Sequence, residues 1–178
     1  MNYKILSSII VTLLFCLVFQ NSAIAQEEKE SEGRHFISVT FAQTYIPKGT
    51  NQDNLNHKGH FVPGIGFDYL YKIKPRFELG VMADIELGRY IIPHKEDLER
   101  DHALVLVGVA TYTLLPSWNA FVGGGIELER HHNLGVLRIG TEYNFAIGNN
   151  WSIPVGIFYD LKEGYDSWSI SVGLGRSF

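Results

Sequence analysis

The chain is short of cysteine and of long apolar runs, and each shortage narrows what it can be. Cys16 is the only thiol among 178 residues. It sits inside an N-terminal apolar stretch, so the remainder must fold without a disulfide or a thiolate-held metal. Phe15 precedes it where a lipoprotein signal carries a small residue, which argues against lipid attachment there. Past residue 25 no apolar run reaches the about 20 residues that a helix needs to cross hydrocarbon. Positive charge is not in excess either: 15 basic residues stand against 19 acidic ones, a balance that offers nothing to nucleic acid.

What is present begins with a leader. Lys4 supplies a short positive region, Ile5 to Phe19 an apolar one, and Ala23-Ile24-Ala25 a small-residue cleavage site, the pattern of a signal peptide over residues 1–25 cut before Gln26. Loss of Lys4 with the leader takes the net charge from −4 to about −5. Residues 26–34 (QEEKESEGR) are polar and without apolar period and read as a solvated linker. One domain is expected over 35–178.

With 46% hydrophobic and 13% aromatic residues, the apolar surface must be used in another way, and its period shows how. From His35 onward apolar residues recur at every second position, in segments of about ten residues divided by turn-rich breaks. Ile37, Val39, Phe41 and Tyr45 oppose Ser38, Thr40, Ala42 and Thr44; Phe61, Ile65, Phe67, Tyr69 and Tyr71 oppose Gly64, Gly66, Asp68 and Lys72. Phe77, Leu79, Val81, Ala83, Ile85 and Leu87 oppose Glu78, Gly80, Asp84 and Glu86. The fourth segment, His102 to Leu114, is apolar on both faces, so its orientation is open. Val122, Ile126 and Leu128 then oppose Gly123, Gly125, Glu127 and Glu129, and Leu137, Ile139 and Tyr143 oppose Arg138, Gly140 and Glu142. Trp151, Ile153, Val155, Ile157, Tyr159 and Leu161 oppose Ser152, Gly156 and Asp160; Trp168, Ile170, Val172 and Leu174 oppose Ser169, Ser171 and Gly173. Eight strands follow.

The breaks tend to alternate in length. Ile46 to His60 and Arg89 to Asp101 are long, while Lys74-Pro75-Arg76, Leu115-Pro116-Ser117 and Gly148-Asn149-Asn150 are tight. Arg130 to Asn133 and Lys162 to Asp166 are only slightly longer than the tight ones. Long outer loops and short inner turns mark membrane barrels. The lumen of eight strands is just wide enough for side chains to fill. Bulky Phe, Tyr, Trp, Ile and Leu therefore suit an exterior in lipid, and Gly, Ser, Thr and charges suit the interior. Tyr45, Phe61, Tyr71, Phe77, Tyr90, Trp118, Trp151, Tyr159 and Trp168 gather near strand ends as two aromatic girdles would.

The last strand carries the most specific motif. Ile170, Val172, Leu174 and Phe178 alternate back from a terminal Phe and resemble the C-terminal signal of outer-membrane barrels; Arg176 departs from it, at a depth where its charge can snorkel. Over residues 35–178 the chain resembles the small OmpA/OmpX-type, porin-like barrels of Gram-negative outer membranes. The resemblance implies an all-β, eight-stranded antiparallel up-and-down transmembrane barrel after a cleavable signal peptide. It implies location in the outer membrane, with membrane lipid and the barrel-insertion machinery as partners; no extracellular ligand is assigned.

With polar faces inside, the lumen is expected to receive a charge network of Asp68, Lys72, Glu78, Asp84, Glu86, Glu127, Glu129, Arg138, Glu142 and Asp160. Parity across the Lys74-Pro75-Arg76 turn predicts a Lys72–Glu78 salt bridge. The next hairpin sets Arg138 opposite Gly125, one diagonal step from Glu127, for a second. Surplus carboxylates near the outer rim would attract cations.

His57 and His60, His94 and His102, and His131 and His132 lie in or beside the outer connections without a ligand spacing, so no metal or cofactor is expected. Known lipid A deacylase barrels use His-x-Ser, which is absent, and palmitoyl transferase barrels an adjacent Asp-Ser, which Asp166-Ser167 supplies in a different hairpin. The expected function is non-enzymatic, structural or interactive, with a largely filled polar lumen. The alternatives are a narrow pore for small solutes or cations, a lipid-modifying barrel enzyme, and a soluble lipid-binding barrel with its oily face inward.

Overall fold

Alternation alone makes β1 (His35–Ile46) a strand with two unlike faces: Ser38, Thr40 and Thr44 are buried, while Phe41 is 63% exposed. The computed structural model describes residues 33–50, 59–93, 97–130 and 132–178. The signal peptide and all of the linker but Gly33 and Arg34 lie outside them. The other barrel strands are β2 (His60–Lys74), β3 (Phe77–Glu86), β6 (Leu104–Leu115), β7 (Trp118–Leu128), β8 (Leu134–Gly148), β9 (Trp151–Lys162) and β10 (Tyr165–Ser177). Each pairs antiparallel with its chain neighbour, and β10 returns to pair with β1, closing an eight-stranded barrel. Reciprocal backbone bonds between His35 and Phe178, 3.0 and 2.9 Å, finish the seam.

The turns follow local chemistry. Asn149 and Asn150 both adopt positive φ (52° and 65°) between β8 and β9, the left-handed conformation that two-residue hairpins require and Asn tolerates. Lys162 pairs with Tyr165, so Glu163-Gly164 is a two-residue turn, Gly164 at φ 107°, rather than the five-residue break expected.

Between β3 and β6 the long outer connection is not a simple loop. It folds into a second hairpin, β4 (Arg89–Ile92) with β5 (Leu98–Asp101), tied to Thr50 by reciprocal backbone bonds with Ile91 of 2.8 and 3.0 Å. Tyr90 and Ile92 pack with Ile46, Val62, Leu134 and Tyr165 at the outer mouth. Tyr90 is therefore buried, and not part of an aromatic girdle as its position suggested.

The facing of β6, open from sequence, is settled by Val105, Val107 and Val109, which point inward and join Leu70, Met82, Phe121, Val136 and Phe158 in an apolar cluster. One wall of the lumen is thus oily, which corrects the expectation of a polar interior. Glycine makes room for it: a Cβ on Gly140 would stand 2.5 Å from Phe121 Cζ and 2.6 Å from Phe158 Cβ.

Candidate functional site

Four of the inward-facing acids, Asp84 with Asp160 and Glu86 with Glu127, form two layers, each built around a cation. In the middle of the barrel Arg138 forks onto Asp160, Nε to Oδ1 at 2.7 Å and Nη2 to Oδ2 at 2.8 Å, and reaches Asp84 Oδ2 with Nη1 at 2.6 Å. Its guanidinium lies 4.1 Å over the Phe158 ring. Planar, bidentate and stacked, this is geometry that Arg supplies and Lys does not. Arg138 is register partner to Asp160 on β9 and to Gly123 on β7.

The expected Arg138–Glu127 bridge is therefore not formed. The β7–β8 register is shifted by two residues from the one inferred, which sets Gly125 against Val136 and Glu127 against Leu134. Lys72 and Glu78 do oppose each other in register. Their charged ends stay beyond ion-pair distance, though Lys72 still attracts the Glu78 carboxylate electrostatically.

The upper layer holds Glu86 and Glu127 around Lys162. Nζ lies 2.7 Å from Glu86 Oε1 and 2.7 Å from Glu127 Oε2, and donates to the Tyr165 hydroxyl at 3.1 Å. Tyr165 donates to Glu127 Oε2 at 2.6 Å, and Tyr90 donates to Glu86 Oε2. The hairpin adds Arg100, with Nε 2.8 Å from Glu127 Oε1 in an ion contact whose angle falls short of a hydrogen bond. Arg100 Nη1 also donates to the His132 carbonyl at 2.8 Å and approaches Glu129 at 3.5 Å.

Lys162, Arg100, Tyr90 and Tyr165 were not among the expected network residues. The sequence places Lys162 and Tyr165 in a short connection and Arg100 in the long one from Arg89 to Asp101. The hairpin's alternation, with Tyr90 opposite Arg100, is the signal that would have found two of them. Asp68 and Glu142 sit apart from both cations' ion pairs. Asp68 accepts from Ser38 at 2.8 Å, and Glu142 from Asn144 at 3.0 Å.

Together the two ionic layers, the apolar wall and the hairpin fill the interior. A void between Asp68, Asp84, Arg138 and Glu142 measures about 10 Å3, room for about one water. Outside the plug, an open cleft of about 480 Å3 lies between Asp101-His102 and Leu128-Glu129-Arg130. Asp101 is held below the usual carboxylate range by His102 and by Arg89, whose Nε is 3.0 Å away. His60 lies tilted against Tyr90, with centroids 6.1 Å apart; His57, His94 and His131 lie outside the described residues. Among the described residues no group of three or more His, Cys, Asp or Glu is arranged to hold a metal ion. Asp166 and Ser167 point to opposite faces, Asp166 accepting from the exterior Tyr159 at 2.9 Å and Ser167 buried in the lumen, so they form no acid–hydroxyl pair.

The exterior is the reverse of a soluble protein's. Phe41, Phe61, Leu137, Ile139 and Ile170 are each more than 60% exposed, far beyond the scattered apolar residues of a soluble surface. Phe61, Tyr45, Trp168 and Tyr159 are successive register partners across β2, β1, β10 and β9, forming one continuous aromatic row at the outer end. The oily face is outward, which sets aside the soluble ligand-carrying barrel.

A closed eight-stranded antiparallel barrel with a filled charged lumen, an apolar belt and aromatic rows defines an outer-membrane β-barrel. Solved barrels share the fold. OprG of Pseudomonas aeruginosa superimposes with a TM-score of 0.53 at 11% identity, over 82% of this chain and 96% of its own. Ail, the attachment invasion locus protein of Yersinia pestis, gives 0.52 at 15%, over 83% and 99%. Outer membrane protein W of E. coli gives 0.51 at 14%, over 84% and 100%. No family model matches the chain, and no curated protein matches it.

Proposed function

We propose that the protein is a non-enzymatic barrel of the outer membrane whose lumen does not conduct and whose work is done at its outer end, as a structural or surface-contact element. The filled lumen carries this reading. A path along the axis meets the Lys162–Glu86–Glu127 layer under the hairpin, then the Arg138 fork against Phe158 and Phe121, with space for about one water between. The last strand is the part offered to the insertion machinery: Ile170, Val172, Leu174 and Phe178 all face outward. The residue 1–25 leader exports the chain, and 26–34 links it to the barrel.

Planar-bilayer recording of purified, refolded protein tests the reading. The expected result is a silent bilayer at every protein concentration that inserts. Stepwise, ohmic openings would favour the narrow pore instead.

A further inference from the structure

Arg176 is the residue that breaks the C-terminal pattern, and nothing in the closed lumen uses it. It alternates with the outward Val172 and Leu174, is exposed, and its guanidinium lies 5.4 Å over the ring of Trp151, its register partner on β9. Three further exposed cations stand at the same end. Arg34 leads into β1, its carbonyl accepting the Lys72 amide at 2.8 Å. Lys74 and Arg76 flank the β2–β3 turn, the Arg76 carbonyl accepting the Thr113 amide at 3.0 Å.

These positions are not spread around the rim. They fall on or beside the tight-turn ends of β3, β2, β1 and β10, which are consecutive in the barrel, and the acid that does face outward on these strands, Asp166, lies at the far, long-loop end of β10. The remaining two tight turns at this end, Leu115-Pro116-Ser117 and Gly148-Asn149-Asn150, are uncharged. The exposed acids Asp97, Glu99 and Glu163 lie at the opposite, long-loop end. Between the cations sit exterior aromatics, Tyr69, Trp151 and Phe178. Cations beside rings on a lipid-facing surface lie at headgroup depth, where their stems rest on apolar surface and their charges meet phosphate.

We propose that this arc is a docking surface for anionic phospholipid headgroups in the periplasmic leaflet, with Arg176, Lys74 and Arg76 as the phosphate-facing charges. The proposal rests on the outer-membrane reading. Lipid is favoured over a soluble cell-wall polymer because Arg176 projects from the side of the barrel, among its lipid-facing residues, and not down into the periplasm.

The test uses the full mature chain in vesicles, with Trp118→Phe and Trp168→Phe leaving Trp151 as sole reporter. Its fluorescence is quenched with dibrominated phosphatidylglycerol or dibrominated phosphatidylcholine, and the ratio of apparent binding constants is the readout. The ratio should be about three- to fivefold in favour of the anionic lipid at low salt, and should fall to about one in Lys74→Gln/Arg76→Gln/Arg176→Gln.

Equal quenching in the parent overturns the proposal, as does a preference that survives in the triple variant. It is overturned too if a soluble anionic cell-wall polymer, and not the lipid, binds in a manner the triple variant loses. Quenching by the brominated phosphatidylcholine and a heat-modifiable gel band show that each protein is inserted and folded. If the parent shows neither, the outer-membrane reading fails and the docking arc with it.

Discussion

Tyr90 and Arg100 face each other across the β4–β5 hairpin, and both point down into the barrel mouth, 0% and 1% exposed. One seals against Tyr165 and Glu86, with hydroxyls 2.9 Å apart in the tyrosine pair; the other meets Glu127. The hairpin is thus a stopper built into the outer connection. Four residues per strand are too few to hold it without that anchorage.

Tyr90→Ala should release the stopper while leaving the barrel folded. Limited trypsin digestion reads this directly: cleavage after Arg89 and Arg100 should become fast in the variant and stay slow in the parent. Equal rates would mean that Arg100 and the backbone ties to Thr50 hold the hairpin without Tyr90.

Removing the central cation should cost far more. Arg138→Met leaves Asp84 and Asp160 buried without their partner, and the loss expected is about 3–5 kcal/mol. Denaturant unfolding in detergent measures it. Adding Asp84→Leu and Asp160→Leu should restore most of the loss, since the penalty comes from the stranded carboxylates and not from the missing attraction.

Two neighbouring glycines give a contrast in which only direction differs. A Cβ on Gly125 points inward, 2.7 Å from Val107 Cα and into the Leu106 carbonyl, whereas one on Gly124 points outward, its nearest neighbour Leu137 Cδ2 at 3.7 Å. Gly125→Ala should destabilise by about 1–3 kcal/mol, and Gly124→Ala should be close to neutral, by the same unfolding assay.

How much of this was legible in the sequence depends on which face a residue occupies. The lipid side is governed by one rule, bulky and apolar, so Phe41, Ile139 and Ile170 announced their strands, and the eight segments match the eight barrel strands. The lumen obeys a rule of complementary volume, in which Phe121 and Phe158 are admitted because Gly140 yields space; alternation cannot display that. Registers needed the true turn centres. The β7–β8 turn displaced Arg138 by two residues from the position inferred, exchanging Glu127 for Asp160 as its partner. Arg100 lies in a hairpin whose strands are only four residues each, so its alternation is a short signal inside what reads as one long connection.

Placing charge on the oily face tests its surroundings. Ile139→Arg, on the lipid-facing side of β8, should cost about 2–4 kcal/mol if it lies at bilayer mid-depth, and an Arg at Trp118, beside a tight turn, about 0–1 kcal/mol. Equal costs in lipid-vesicle unfolding titrations would indicate an exterior that is not graded by membrane depth.

The most direct test of the central claim is where the protein goes when it is expressed with its leader in a Gram-negative host, and how it runs on a gel unheated. The account predicts recovery with the outer membrane and a compact band that shifts to the unfolded position only on boiling. Soluble protein in the periplasm, with no heat-dependent shift, would contradict it.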